Sequence, residues 1–344
     1  MIGVGIVGYG FAGRSFHSYL VRRTRGLELR GVASRDAGRR ERASRELGVT
    51  AHADAAALLA DDSVGVVVLA TPHDTHAPLA IQALNAGKHV VVDKPLAITL
   101  TEADAMIAAS QANGRVLTAF HNRRWDWDFL TIRQALAAGL IGRPYLFESA
   151  VLRYRRPRAW RSREDSMGSV LHDWGAHLVD QALKLVPSAP VSVFCHFARP
   201  AAAPGEIADF GKLLIRFADE TLFQIELGYL CRAPKPRWYI LGTTGALVKD
   251  GLDPQEQALL AGDIDAARED PRERARLITD LAETSAEVVL DSVRGSWTSY
   301  YQNLSDHLND GAPLAVTAAE ARQVVAILEA GARSAALGQV VKLT

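Results

Sequence analysis

The stretch Ile2-Gly-Val-Gly-Ile-Val-Gly8-Tyr-Gly10-Phe-Ala-Gly13 decides the fold. A run of strand formers leads directly into G-x-G-x-x-G, and helical spacing follows over Ala12–Arg23. Three glycines at this spacing are a weak signal alone. Their context is stronger: a strand before, a helix after, and a second apolar strand, Leu27–Ala33, ending about 20 residues later. Gly8 suits a tight turn, Gly10 leaves room for a pyrophosphate, and Gly13 lets helix and strand pack closely. Phe11 and Ala12 belong to the same turn, where unpaired N–H groups and the positive end of a helix dipole attract phosphates. The competing reading is a turn with a structural role only.

Outward from this turn, Val64–Leu69, Val90–Val92 and Val116–Ala119 repeat the short apolar run. Ala37–Leu47, His76–Asn85 and Glu102–Gln111 fill the intervals with helical spacing, the last behind a Thr99-x-x-Glu102 capping box. Strands alternating with helices mean βαβ units and a buried parallel sheet. Right-handed crossovers make it doubly wound, an α/β Rossmann domain over residues 1–120. After residue 121 the rhythm changes. Pro144–Leu152, Val191–Phe197, Lys212–Phe217, Thr221–Leu230 and Arg237–Leu241 read as strands, with a hairpin turn at Asp219-Glu220 and one strong helix over Ser169–Leu185. This predicts an α+β domain over 121–344 with a large, mostly antiparallel sheet. Residues 253–295 are charged and helical in pattern, and the last helix starts at a Thr317-x-x-Glu320 capping box and ends near Gly338.

Composition narrows the function classes. The 344 residues suit two domains, and 39 basic residues balance 39 acidic ones, so the basic excess of a nucleic-acid binder is missing. Cys195 and Cys231 are the only cysteines, too few for a disulfide framework, and no Cys/His cluster suggests a metal. No signal peptide or 18-residue apolar run is legible, so the expectation is a cytoplasmic protein with no membrane partner. An open antiparallel sheet face further predicts a homo-oligomer, dimer or tetramer.

The second strand ends Val32-Ala-Ser34-Arg35-Asp36, with Arg39 and Arg40 one turn on. An acid in place of Ser34 would accept from both ribose hydroxyls and repel a 2′-phosphate. Ser34 with Arg35 and Arg39 instead predicts NADP(H), with NAD the lesser choice. The rival is that Asp36 reaches the ribose and the arginines form a solvated face. Thr71, Pro72, His73 and His76 follow the fourth strand at the sheet edge where such folds bind ligands, although His76 could simply begin a helix. Asp93-Lys94-Pro95 follows the next strand at the same edge. There Lys94 would donate to a reacting hydroxyl or carbonyl oxygen, where by default it is a solvated surface lysine. Asp173 and His177, four apart on the Ser169–Leu185 helix, suit a general base tuned by a carboxylate, or else an exposed helix pair.

Together these residues resemble the glucose–fructose oxidoreductase/inositol dehydrogenase (Gfo/Idh/MocA) family over essentially the whole chain. The likeness is greatest to its NADP-dependent scyllo-inositol dehydrogenase branch, through Val91-Val-Asp-Lys-Pro95, Phe120-His-Asn-Arg-Arg-Trp-Asp126, the Asp173–Gln181 segment and Gly251-Leu-Asp-Pro-Gln-Glu256. The resemblance implies a catalytic set of Lys94, Asp173 and His177, which also touch substrate. It implies that Trp160-Arg161 close over the cofactor, beside Asp93, Lys94 and Pro95, and that Asn122, Arg124 and Trp125 line the substrate pocket. It implies hydride transfer to or from a secondary alcohol of a cyclic polyol or sugar, without metal. NAD-dependent glycosidases and non-enzymatic sugar sensors of the same family are the alternatives. Two departures stand out: Asp93 replaces the usual Glu, and Met167-Gly168-Ser169 replaces the usual glycine cluster.

Overall fold

Ile2–Val7 is extended because its alternate residues are β-branched and all but the first two are buried, leaving no polar face for a helix to show. A computed structural model, which describes residues 1–281 and 284–343, makes this strand (β1) the middle of a parallel sheet. The others are β2 (Leu27–Ala33), β3 (Thr50–His52), β4 (Val66–Leu69), β5 (His89–Val92) and β6 (Leu117–Ala119), in the order β3-β2-β1-β4-β5-β6. That order reverses direction at β1/β4, so a crevice opens there at the carboxyl edge. Val67, Leu69, Val90, Val92, Leu84 and Met106 form one buried cluster, which Ala321 and Val325 of the last helix (Ala318–Leu337) complete. Thr99 and Glu102 make the expected capping box.

The other sheet has nine strands: β7 (Pro144–Leu152), β8 (Pro190–Ala198), β9 (Phe210–Phe217), β10 (Leu222–Gly228), β11 (Trp238–Gly242), β12 (Gly245–Lys249), β13 (Arg276–Leu281), β14 (Thr284–Val289) and β15 (Val341–Lys342). Their order is β14-β13-β12-β11-β7-β10-β9-β8-β15, antiparallel throughout except for β7 with β10. Period-two alternation buries Leu213, Ile215 and Phe217 of β9 and turns Lys212 and Arg216 outward. Phe147 and Phe223 stack at 5.2 Å in this core, each aromatic contributing about 1.5–3 kcal/mol by burial. The Asp219-Glu220 turn forms as expected, with Glu220 at φ 70°.

By packing, Met1–Asn122 with Trp297–Val325 form one unit, and Arg123–Ser296 with Ala326–Thr344 form a second.

Two sequence expectations are corrected. Residues 253–295 are helical in sequence pattern, but among the described residues of this stretch only Gln255–Leu260 is an α-helix, and β13 and β14 are a hairpin extending the sheet. Being an edge, the hairpin buries little, so its charges sit among Ile278, Val288 and Val289 without a clear period. The helix expected over Ser169–Leu185 is broken. Ser169 caps a short 3₁₀ turn, Val170–His172, by accepting from the Leu171 N–H at 3.2 Å. Asp173 then leaves helical geometry (φ −83°, ψ −99°), and the α-helix runs Trp174–Leu185.

Candidate active site

The glycine turn is built as a cradle. Gly8 has φ 99°, a conformation that favours glycine, and a side chain there would meet Ala70 O at 2.4 Å. A side chain on Gly13 would lie 1.9 Å from Gly8 O. On Gly10 it would find only Arg39 Nη1, at 3.9 Å, so the middle glycine faces open space while its neighbours are packed. A dinucleotide pyrophosphate needs that pattern. Between the glycines, buried Tyr9 donates to Glu46 at 3.0 Å, and Arg14 grips the same carboxylate through two hydrogen bonds of 2.8 Å. Burial, then Glu46, pushes the Tyr9 phenol up to about 12.

Beside the turn, Ser34 is buried and accepts from Asp36 N–H at 3.3 Å, and Arg35 is exposed. Asp36 caps the helix Ala37–Leu47, accepting from Arg39 N–H at 2.9 Å, and its carboxylate lies 3.9 Å from Arg39 Nε. Arg40 donates to the Ser34 and Arg35 carbonyls at 2.7 and 3.0 Å.

At the carboxyl edge of β4 and β5, Thr71, Pro72, Asp93 and Lys94 are partly exposed, and His73 and His76 are buried. Both ring nitrogens of His76 face backbone carbonyls, Nδ1 at 3.0 Å from Pro95 O and Nε2 at 3.1 Å from Thr71 O. His76 thus clips the two loops together. Burial lowers its pKa, with Asp93 and the two carbonyls pulling the other way.

Asp93 accepts from Lys94 N–H at 2.9 Å, and the Lys94–Pro95 peptide is cis. Burial would raise the Asp93 pKa. The His17 imidazole, with Lys94 and His76, overcomes this and holds it well below the usual carboxylate range. His17 lies on a wide π-type turn, Gly13–His17, that follows the cradle. It is fully buried against Phe120 with Nε2 3.8 Å from Asp93 and Nδ1 2.7 Å from Tyr301 Oη. Burial keeps Tyr301 a phenol, hydrogen-bonded to the Nδ1 side of the imidazole whose Nε2 faces Asp93.

In the second unit, Asp173 stands at the break before its helix, and His177 is buried one turn inside. Tyr229 donates to Asp173 at 3.3 Å; burial, then that carboxylate, raises the phenol pKa well above 10. The His177 ring lies 6.1 Å from Trp174. Arg124, expected against substrate, grips buried Asp180 through Nε at 2.8 Å and Nη2 at 2.5 Å. Trp125 is half-buried with its carbonyl accepting from Gln255 at 3.0 Å, and Asn122, which belongs to the first unit, is buried. Trp160 and Arg161 share a short turn, Ala159–Ser162, with the guanidinium 4.4 Å from the indole centroid. No motif marks Tyr229 or His17, and Arg153 is legible only as the start of a basic stretch, Arg153 to Arg163, that suits a small anionic ligand; the nearest signal for Tyr229 is its position just past the end of a strand.

Among the described residues, no helix is long and apolar enough to cross a membrane, and no group of three or more His, Cys, Asp or Glu could hold a metal ion. Residues 2–121 match the model of the oxidoreductase family with an NAD-binding Rossmann fold, and residues 129–248 match the Gfo/Idh/MocA C-terminal domain. The chain is 36% identical to the uncharacterized oxidoreductase YdgJ of Escherichia coli, over 97% of this chain and 96% of that one. It is 30% identical to the scyllo-inositol 2-dehydrogenase (NADP(+)) IolW of Bacillus subtilis, over 97% and 93%. Among solved structures, an NAD-binding protein from Listeria innocua superposes with a TM-score of 0.87 at 31% identity, covering 99% of this chain and 96% of that one. Glycine cradle, strand order and full-length likeness agree: the chain belongs to the Gfo/Idh/MocA family of NAD(P)-dependent oxidoreductases.

Proposed function

We propose that this oxidoreductase uses NADP(H) to interconvert a secondary alcohol and a ketone on a cyclic polyol or sugar of inositol type. Residues 1–120 hold the cofactor, and the rest of the chain supplies the substrate site and the contacts of a homo-oligomer. The observation that carries the reading is the start of the helix Trp174–Leu185, where Asp173 carries the Tyr229 hydroxyl at 3.3 Å and His177 is buried one turn on. A buried imidazole one turn from a carboxylate is a base ready for a hydroxyl proton.

The bound nicotinamide supplies the hydride acceptor or donor. His177 takes the hydroxyl proton in oxidation and returns it in reduction. Asp173 orients the substrate and tunes the imidazole. Lys94 donates to the reacting oxygen and stabilises its negative charge, with its backbone fixed by Asp93. Gly8, Gly10 and Gly13 cradle the pyrophosphate, and Thr71 and Pro72 line the same edge. His76, both of whose nitrogens are engaged, shapes that edge from beneath.

Support for NADP over NAD comes from Asp36, whose carboxylate caps the helix and lies 3.9 Å from Arg39 Nε. With that acid engaged, Arg39 beside Gly10 and exposed Arg35 form a receptor for a 2′-phosphate. The B. subtilis relative carries NADP(+) in its name.

The test offers NADP and NAD with a panel of inositols, aldoses and their ketones, following the nicotinamide absorbance. Steady turnover with at least one member, faster with NADP, is expected. Cofactor binding with no turnover on any member would overturn the reading.

A further inference from the structure

Arg153 sits where β7 ends. Its N–H donates to Gly228 O at 2.8 Å and its carbonyl accepts from Cys231 N–H at 2.9 Å, so its backbone is fixed beside Tyr229. Its guanidinium lies over the Trp174 ring, 4.6 Å from the centroid, and Arg123 lies 3.9 Å from the same centroid. The two arginines differ in company. Arg123 is neutralised by Asp126 at 3.1 Å and Glu256 at 2.7 Å. Among the described residues, no carboxylate or carbonyl oxygen is within bonding reach of the Arg153 guanidinium.

A guanidinium has five N–H donors and no acceptor, and it stays charged throughout the working pH range. Half-buried on an indole, it has lost water without gaining an acceptor, which is costly until an acceptor arrives. Its surroundings agree: burial lowers the Arg153 pKa, Glu256, Asp173 and Tyr229 offset part of this, and Arg123 opposes them. Arg161 adds a second positive charge near Tyr229. Asp173 and its Tyr229 hydroxyl therefore stand near the Arg153 and Arg161 charges, and among the described residues no acceptor is bonded to the Arg153 guanidinium.

We propose that Arg153 binds an oxyanion on the substrate, so that the polyol or sugar carries a carboxylate or a phosphate ester beside the reacting carbinol. This rests on the reading of Asp173 and His177 as the substrate end of the site. A planar carboxylate matches the guanidinium fork with two parallel hydrogen bonds, and a phosphate ester matches it through two oxygens.

The experiment compares kcat/KM for matched neutral and acidic substrates: glucose with glucuronate and glucose 6-phosphate, and inositol with inositol phosphate. Wild type, Arg153→Met and Arg153→Lys are each run with NADPH binding as the folding control. The acidic member of a pair is expected to be preferred about 10- to 100-fold, the worth of a charge-assisted pair. Arg153→Met brings that ratio close to one, and Arg153→Lys restores part of it. Comparing glucuronate with glucose 6-phosphate shows which oxyanion is meant. Equal or better turnover of neutral substrates overturns the proposal while leaving the dehydrogenase reading intact, as does a loss in Arg153→Met that is the same for both members. No turnover on any substrate overturns both.

Discussion

The Tyr301 hydroxyl and Nδ1 of His17 share a hydrogen bond of 2.7 Å, closing the far side of an imidazole whose other nitrogen faces Asp93. Residues 284 apart in sequence thus share one buried bond behind the strand end that presents Lys94. Removing the hydroxyl in Tyr301→Phe leaves a buried ring nitrogen without its partner. We expect a loss of about 1–3 kcal/mol in urea unfolding. A change within about 0.5 kcal/mol, the range of an ordinary surface substitution, would mean that the bond is not formed in solution.

Lys94→Ala removes the donor assigned to the reacting oxygen. The expected result is a fall in kcat of about 10²–10³, the scale for losing one transition-state donor. NADPH affinity, read by fluorescence titration, should change little by comparison. A kcat within a fewfold of wild type would take Lys94 out of the chemistry.

Arg39→Ala tests the cofactor preference without any substrate. Loss of one charge-assisted contact should weaken NADPH about tenfold or more. NADH, which has no 2′-phosphate, should bind within about twofold of its wild-type affinity. An equal loss for both cofactors would assign Arg39 to the shared pyrophosphate instead.

Asp253 gives a pH dependence with a definite sign. Burial, reinforced by Asp128, pushes its carboxyl from 3.8 up to about 6, although it accepts from Trp127 and Gln255 N–H groups. The folded state therefore favours the protonated acid. The associated stability is fully present below the unfolded pKa and is lost as pH rises through about 6. Relative to Asp253→Asn, wild type should lose on the order of 3 kcal/mol between about pH 4 and pH 7. Urea midpoints across that range measure it, and parallel curves for the two proteins would place the Asp253 pKa near its ordinary value.

The nucleotide-binding half was legible because its signals are local. β1, the glycines and the helix after them are contiguous, and a buried parallel strand shows itself as an apolar run. The β13–β14 hairpin escaped because an edge hairpin with few buried residues has no period to read. Asp173 was read onto a helix because its spacing to His177 is helical. The break depends on φ and ψ at one residue, after Ser169 has closed a turn of its own. Arg153 and Tyr229 could not be placed beside Trp174 and Asp173 for a different reason. They meet Trp174 and Asp173 only through β7 and β10 pairing, which no linear motif encodes.

Glu46 holds Tyr9 from the glycine loop and Arg14 from the turn that follows, yet it lies at the far end of the Ala37–Leu47 helix whose first turn carries Arg39. Loop and helix are therefore sewn together at the Glu46 end, and a push on one is felt by the other. Anyone transplanting the 34–40 segment from an NAD-using relative into this chain should carry positions 9, 14 and 46 along with it, or the graft will arrive with its charges in place and its tilt wrong.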